Sequence, residues 1–138
     1  MDRLSDTYDR LQYVNGTIII ATDDADINTV LSGVFGLNGF KCFKTTSAEE
    51  TIRIFEDLQE NVDSMLIDGQ IAEDRSAMVI SKVKKKKPPV KVVVVANNQG
   101  IKTRVLDYGA DEFTLKPMTA DILVNKVLSL LASNSIKQ

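Results

Sequence analysis

Asp23, Asp24, Asp68 and Lys116 are the side chains of this 138-residue sequence whose types and placement could do chemistry together. Asp23 and Asp24 follow the β-branched run 17–21, Asp68 closes the apolar run 64–68, and Lys116 comes directly after 112–115. If those runs are strands of one parallel sheet, groups at their carboxyl ends converge on a single rim. Three carboxylates crowded there repel one another unless a cation joins them, and an all-oxygen site suits a hard ion such as Mg²⁺. A divalent ion with a lysine opposite a carboxylate is what phosphoryl transfer to that carboxylate needs, because charge on the equatorial oxygens must be neutralised. Asp68 is then the nucleophile. Each motif alone is weak, since Asp-Asp after a strand also starts helices and a strand-terminal Asp often caps. The four positions together carry the reading.

Composition removes most competing chemistries. With 43% hydrophobic and 26% charged residues the chain has the make-up of one domain with a proper core. The absence of histidine excludes Ser-His-Asp and Cys-His catalytic groups, His-bound metals and a phosphohistidine carrier. The single Cys42 cannot close an internal disulfide or build a thiolate zinc site, which points to a reducing, cytoplasmic setting. It reads as a small packed side chain on an edge strand rather than a redox sensor. A net charge of −2 argues against direct nucleic-acid binding. The runs 18–21 and 92–96 fall far short of the roughly 20 residues of a membrane span, and residues 1–16 lack a signal peptide's apolar stretch. No Gly-Lys-Ser/Thr loop occurs, and Gly33, Gly36 and Gly39 do not match a dinucleotide fingerprint. The four lysines at 84–87 fall in a last helical turn, where they complement the helix dipole.

Strand and helix patterns alternate along almost the whole chain, the signature of strand-helix units around a parallel sheet. Strands are expected over 17–21, 40–45, 64–68, 90–96 and 112–115, and helices over 26–37, 47–58, from Met78 to about Lys87, 102–108 and 119–132. Ser47 to Glu50 form a capping box. Gly33 and Gly36 each cost about 1 kcal/mol relative to Ala inside the first helix, and close packing against the sheet would account for them. The expected organisation is a leader at 1–16, where Leu4, Tyr8 and Leu11 share one helical face, a domain at 17–132, and a disordered tail at 133–138.

The acid pair after Ile18-Ile19-Ile20, the strand Met65-Leu66-Ile67-Asp68 and the stretch from Gly109 to Pro117 together resemble the receiver domain of two-component response regulators. The likeness covers roughly residues 17–132 and is similar in plan to the single-domain chemotaxis regulator. It implies a (βα)₅ flavodoxin-like α/β fold with a five-stranded parallel sheet of order 2-1-3-4-5 and helices on both faces. It further implies that Asp68 accepts a phosphoryl group from a partner histidine kinase or phosphotransfer protein. Asp24 would ligate Mg²⁺ directly, Asp23 directly or through water, and the Gln70 carbonyl as a backbone ligand beside Asp68. Lys116 would pair with the phosphoryl group, Pro117 would follow a cis peptide bond, and Phe113 would be the aromatic switch. The output would be binding of a downstream protein, or of a second copy, through the fourth helix, fifth strand and fifth helix. Such a module is not an enzyme in the ordinary sense and has no membrane segment.

The chain departs from the pattern at one informative place. Counting from Asp68 puts Ala96 where the family has Thr or Ser, and counting back from Lys116 gives Val94. Neither carries the hydroxyl that couples phosphate to the aromatic switch. An amide of Asn97 or Asn98 is the substitute the sequence offers. The loop after Asp68 also lacks the usual proline and glycine. Two rival readings follow: an interaction module that keeps the fold but signals without phosphate, and a Mg²⁺-dependent phosphatase with an aspartyl nucleophile. The second lacks the acid two residues after the nucleophile, where this chain has Gln70. Whether the chain is a stand-alone regulator or a fragment of a longer protein stays open.

Overall fold

The computed structural model describes residues 12–136. The helical leader expected around Leu4, Tyr8 and Leu11 lies outside the described residues. Five strands, β1 (Thr17–Ala21), β2 (Lys41–Thr45), β3 (Val62–Ile67), β4 (Lys91–Ala96) and β5 (Glu112–Leu115), form one sheet in the order β2-β1-β3-β4-β5. Every neighbouring pair is parallel. The connecting helices are α1 (Ala25–Leu37), α2 (Ala48–Leu58), α3 (Ser76–Lys86), α4 (Lys102–Asp107) and α5 (Ala120–Ile136). The flavodoxin-like α/β order anticipated from the motifs is the one the chain adopts.

Strand alternation sorts the core into two layers. Ile18, Ile20, Leu66, Val93 and Val95 pack under Leu31 and Phe35 of α1 and Leu123, Val124 and Val127 of α5. Ile19, Met65, Ile67, Val92 and Val94 face the other way, under Phe55 of α2, Val79, Ile80 and Val83 of α3 and Val105 of α4. The three central strands β1, β3 and β4 are buried on both faces, which explains their near-continuous apolar runs.

Three local differences from the sequence reading have physical causes. The last helix runs on to Ile136 rather than stopping at Ala132, since no glycine or proline interrupts 120–136, so the expected tail is helical that far. Gly33 and Gly36 face open space, so close packing is not their reason, and nothing in the structure requires them. The loop after Asp68 is not a plain polar loop: Ile71–Arg75 form a π-helical turn that leads into α3, with Ile71 and Ala72 buried in the core. Of the four lysines, Lys84 donates to the carbonyls of Pro88 and Val90 and pairs with Asp111 at 2.7 Å, while Lys87 donates to the carbonyls of Glu60 and Val62. These contacts bind the end of α3 to the strands beside it.

Asn28, 2% exposed, fixes α1 over the sheet. Its Nδ2 donates to the Ile20 carbonyl at 3.0 Å and the Thr45 carbonyl at 3.1 Å, and its Oδ1 accepts from the Ser32 hydroxyl. Asn28→Ala removes a buried donor that serves two strands and is expected to lower stability by about 1–3 kcal/mol, read as an earlier urea midpoint at unchanged m-value. On the edge strand β2, burial pushes the Cys42 thiol up to about 11. Its alkylation at pH 8 is therefore expected to run far slower than that of an unfolded-state cysteine and to accelerate as the pH approaches that value.

Candidate functional site

Three strand ends build the site. β1 delivers Thr22, fully buried, whose N–H donates to the Thr45 carbonyl at 3.1 Å. Two residues on, Asp24 is the N-cap of α1: its Oδ1 accepts from the N–H groups of Asp26 and Ile27, both at 3.0 Å. That sets one carboxylate oxygen of Asp24 on the unpaired donors and positive dipole end of the helix, a local demand met within one turn of chain. Asp23 turns the other way, and its Oδ1 accepts the Gln70 N–H at 2.7 Å. Gly69 makes this approach feasible, with φ at +70° and a would-be Cβ only 2.4 Å from the Asp23 Oδ1 and 3.0 Å from the Thr22 Oγ1.

Just past β3, Asp68 is 1% exposed, and its N–H donates to the Ala21 carbonyl at 2.9 Å. The Thr22 hydroxyl donates to its Oδ2 at 3.0 Å. The Lys116 ammonium lies 2.7 Å from its Oδ1, a buried, charge-assisted pair. Lys116 is placed by β5 and β4, its N–H donating to the Ala96 carbonyl at 2.9 Å, and the Lys116–Pro117 peptide is cis. The register pairs Ala96 with Leu115 and Val94 with Phe113. Ala96 therefore ends β4 beside Lys116, and Val94 sits deeper in the core. Phe113 is 9% exposed and packs in the layer beneath α3 and α4. The Asn98 side chain accepts the Gly100 N–H at 2.8 Å and so holds its own turn.

The rim thus gathers Asp23, Asp68 and Lys116 but not Asp24. Among the described residues no three His, Cys, Asp or Glu side chains come together as a metal-holding group. Asp23 and Asp68 flank Gly69, and Asp24 stands one residue past Asp23 as the cap of α1. Two carboxylates still suit Mg²⁺, which keeps several waters and seldom has an all-protein cage. The donors gathered there are all oxygen, as such a hard ion requires, and the Gln70 main chain lies alongside Asp23.

Sequence reasoning passed over Thr22 and Glu73. Thr22 stood directly before the acid pair at the end of a strand, which was signal enough to ask about it. Glu73 gave no signal, because its partners lie far along the chain: its Oε2 accepts the Asn97 N–H at 3.3 Å and its carbonyl accepts from the Arg104 guanidinium at 3.2 Å. These contacts tie the π turn to the β4–α4 loop and to α4. A cleft of about 410 Å³ opens beside Asp68 and Lys116, walled by Ile27, Val30, Leu31, Pro117 and Met118. Because Asp24 serves as a cap, Asp24→Ala is expected to lower stability by about 1 kcal/mol in a denaturant titration, with Asp24→Asn retaining most of it.

Comparison with known proteins agrees with this strand order. The family model described as the response regulator receiver domain matches residues 18–128. The chain is 28% identical over 116 residues to the response regulator SaeR of Staphylococcus aureus, covering 83% of this chain and 50% of that protein. It is also 28% identical over 117 residues to a cyclic di-GMP phosphodiesterase of Thermotoga maritima, covering 83% of this chain and 31% of that protein. The chain therefore spans half or less of the length of these curated relatives. Among solved structures, a receiver domain protein from Clostridium thermocellum superposes with a TM-score of 0.79 at 19% identity, covering 89% of this chain and 99% of that one. A CheY-like receiver domain protein from Methanospirillum hungatei gives 0.77 at 19%, covering 89% and 98%. With a family model spanning most of its length and the strand order to match, the chain belongs to the response regulator receiver domain family.

Proposed function

We propose that Asp68 is the phosphoacceptor of a two-component signalling step, taking its phosphoryl group from a phosphohistidine on a partner kinase or phosphotransfer protein. The observation that carries this reading is the buried Asp68 carboxylate with the Lys116 ammonium 2.7 Å from its Oδ1 at the carboxyl end of the sheet. A carboxylate oxygen attacks phosphorus as the phosphorus–nitrogen bond of the donor breaks, and the leaving imidazole takes the electron pair. Lys116 offsets the negative charge on the phosphoryl oxygens and is held ready by the strand ends. Asp23, Asp68 and the Gln70 carbonyl would hold Mg²⁺, which when bound neutralises charge on the transferring group. The setting is cytoplasmic, where such kinases present their phosphohistidine. No helix among the described residues is long and apolar enough to cross a membrane.

The responding surface in this reading is the face of α4, β5 and α5. Leu106, Tyr108, Leu115 and Ile122 are all large, apolar and at least 38% exposed on or beside those elements. A downstream protein or a second copy of the chain would cover them.

A second reading is favoured by two observations. Ala96 offers no hydroxyl at the end of β4, and the Phe113 ring already lies in the core. A domain so built could bind its partner without phosphate. An aspartyl-nucleophile phosphatase has less support, since the Gln70 side chain donates to Asp74 and supplies no acid beside Asp68. Incubation with acetyl phosphate and Mg²⁺, followed by intact mass measurement, separates the readings. The expected result is one phosphoryl adduct, absent in Asp68→Asn, with Asp23→Ala needing roughly tenfold more Mg²⁺ and Asp24→Ala little changed. No adduct at any Mg²⁺ concentration would hand the case to the phosphate-independent module.

A further inference from the structure

We propose that Thr22 is a positioning residue for the acceptor: its hydroxyl holds Oδ2 of Asp68, so that Oδ1, beside Lys116, is the oxygen presented to phosphorus. The inference rests on the phosphoacceptor reading above and assigns a role to a residue outside its acids and lysine. Thr22 is fully buried, and its Oγ1 takes part in two contacts that define its direction. The Asp24 N–H donates to it at 3.2 Å, and it donates to the Asp68 Oδ2 at 3.0 Å. Accepting from one side and donating to the other makes a short polarised chain from the start of α1 to the acceptor. The β-branched side chain has few rotamers, and Gly69, whose would-be Cβ lies 3.0 Å from Oγ1, leaves it room.

A carboxylate anchored through one oxygen cannot turn freely about its Cβ–Cγ bond. With Oδ2 engaged by Thr22, the other oxygen is the one that faces the Lys116 ammonium, at 2.7 Å. In the transfer a bond forms between Oδ1 and phosphorus while the bond from phosphorus to the donor's leaving group breaks, the pair departing with that group. Oδ2 then becomes the carbonyl oxygen of the acyl phosphate and keeps the Thr22 hydroxyl as its donor. A neutral hydroxyl at this place also donates to Asp68 where a third carboxylate would repel it.

The test measures two quantities on the full chain: the rate of phosphoryl adduct formation with acetyl phosphate at saturating Mg²⁺, and Mn²⁺ affinity by calorimetry. Thr22→Val removes the proton at nearly constant shape and is expected to slow adduct formation about five- to tenfold while leaving Mn²⁺ affinity within about twofold. Thr22→Ser, which restores a donor at the same place, is expected to recover most of the rate. A Thr22→Val rate equal to the unaltered chain's, or a Thr22→Ser rate as slow as that of Thr22→Val, overturns the role. Parallel loss of rate and Mn²⁺ affinity in Thr22→Val also overturns it, because the residue would then be shaping the whole site. If the unaltered chain takes no phosphoryl group, the phosphoacceptor reading falls and this inference with it. A normal adduct with an indifferent Thr22 sinks the inference alone.

Discussion

A carboxylate buried to 1% exposure at the end of a central strand is tolerable only because a lysine from a different strand meets it. An unpaired charge there would be costly, and removing one partner from such a pair costs more than the pair itself is worth. The meeting depends on register. Asp68 is seated by its N–H on the Ala21 carbonyl and Lys116 by its N–H on the Ala96 carbonyl, so β1 holds the acid and β4 holds the base. β1, β3, β4 and β5 must all be in place before the pair exists, which makes it a late and non-local consequence of folding.

The segment after β1 shows how local and distant demands divide three consecutive side chains. Thr22 turns to Asp68, Asp23 to the turn at Gly69–Gln70, and Asp24 to the first N–H groups of α1. Helix capping is satisfied within the segment itself and takes the last of the three. The first two face the rim, where the Asp23 and Asp68 carboxylates and the Lys116 ammonium sit and the neutral Thr22 hydroxyl adds no further like charge.

Coupling away from the rim follows a similar logic. Without a hydroxyl, the Ala96 side chain at the end of β4 has no hydrogen bond to offer Asp68. Hydrogen bonds cross from the π turn through Glu73, to the Asn97 N–H by its carboxylate and to the Arg104 guanidinium of α4 by its carbonyl. They join the π turn to the helix that borders the exposed Leu106 and Tyr108. A shift of that turn would be felt on this face directly.

Strand and helix identity was legible in the sequence wherever a single period dominated: the β-branched runs of β1 and β4 and the capping box of α2 are local patterns with local causes. The convergence of Asp68 and Lys116 was legible through motif combination, since a parallel sheet sends strand ends to one rim whatever lies between, whereas strand order came from the family resemblance. The turn at Ile71–Arg75 was not, because its burial depends on a core assembled from distant strands. Nor was the choice among Thr22, Asp23 and Asp24. All three are polar residues at the end of a strand, and which of them reaches Asp68 is decided by the direction in which the backbone leaves β1. Residue types alone specified that an acid and a base would share the rim. Only the packed chain, through hydrogen bonds spanning some 46 residues of sequence, determined which oxygen faces which donor.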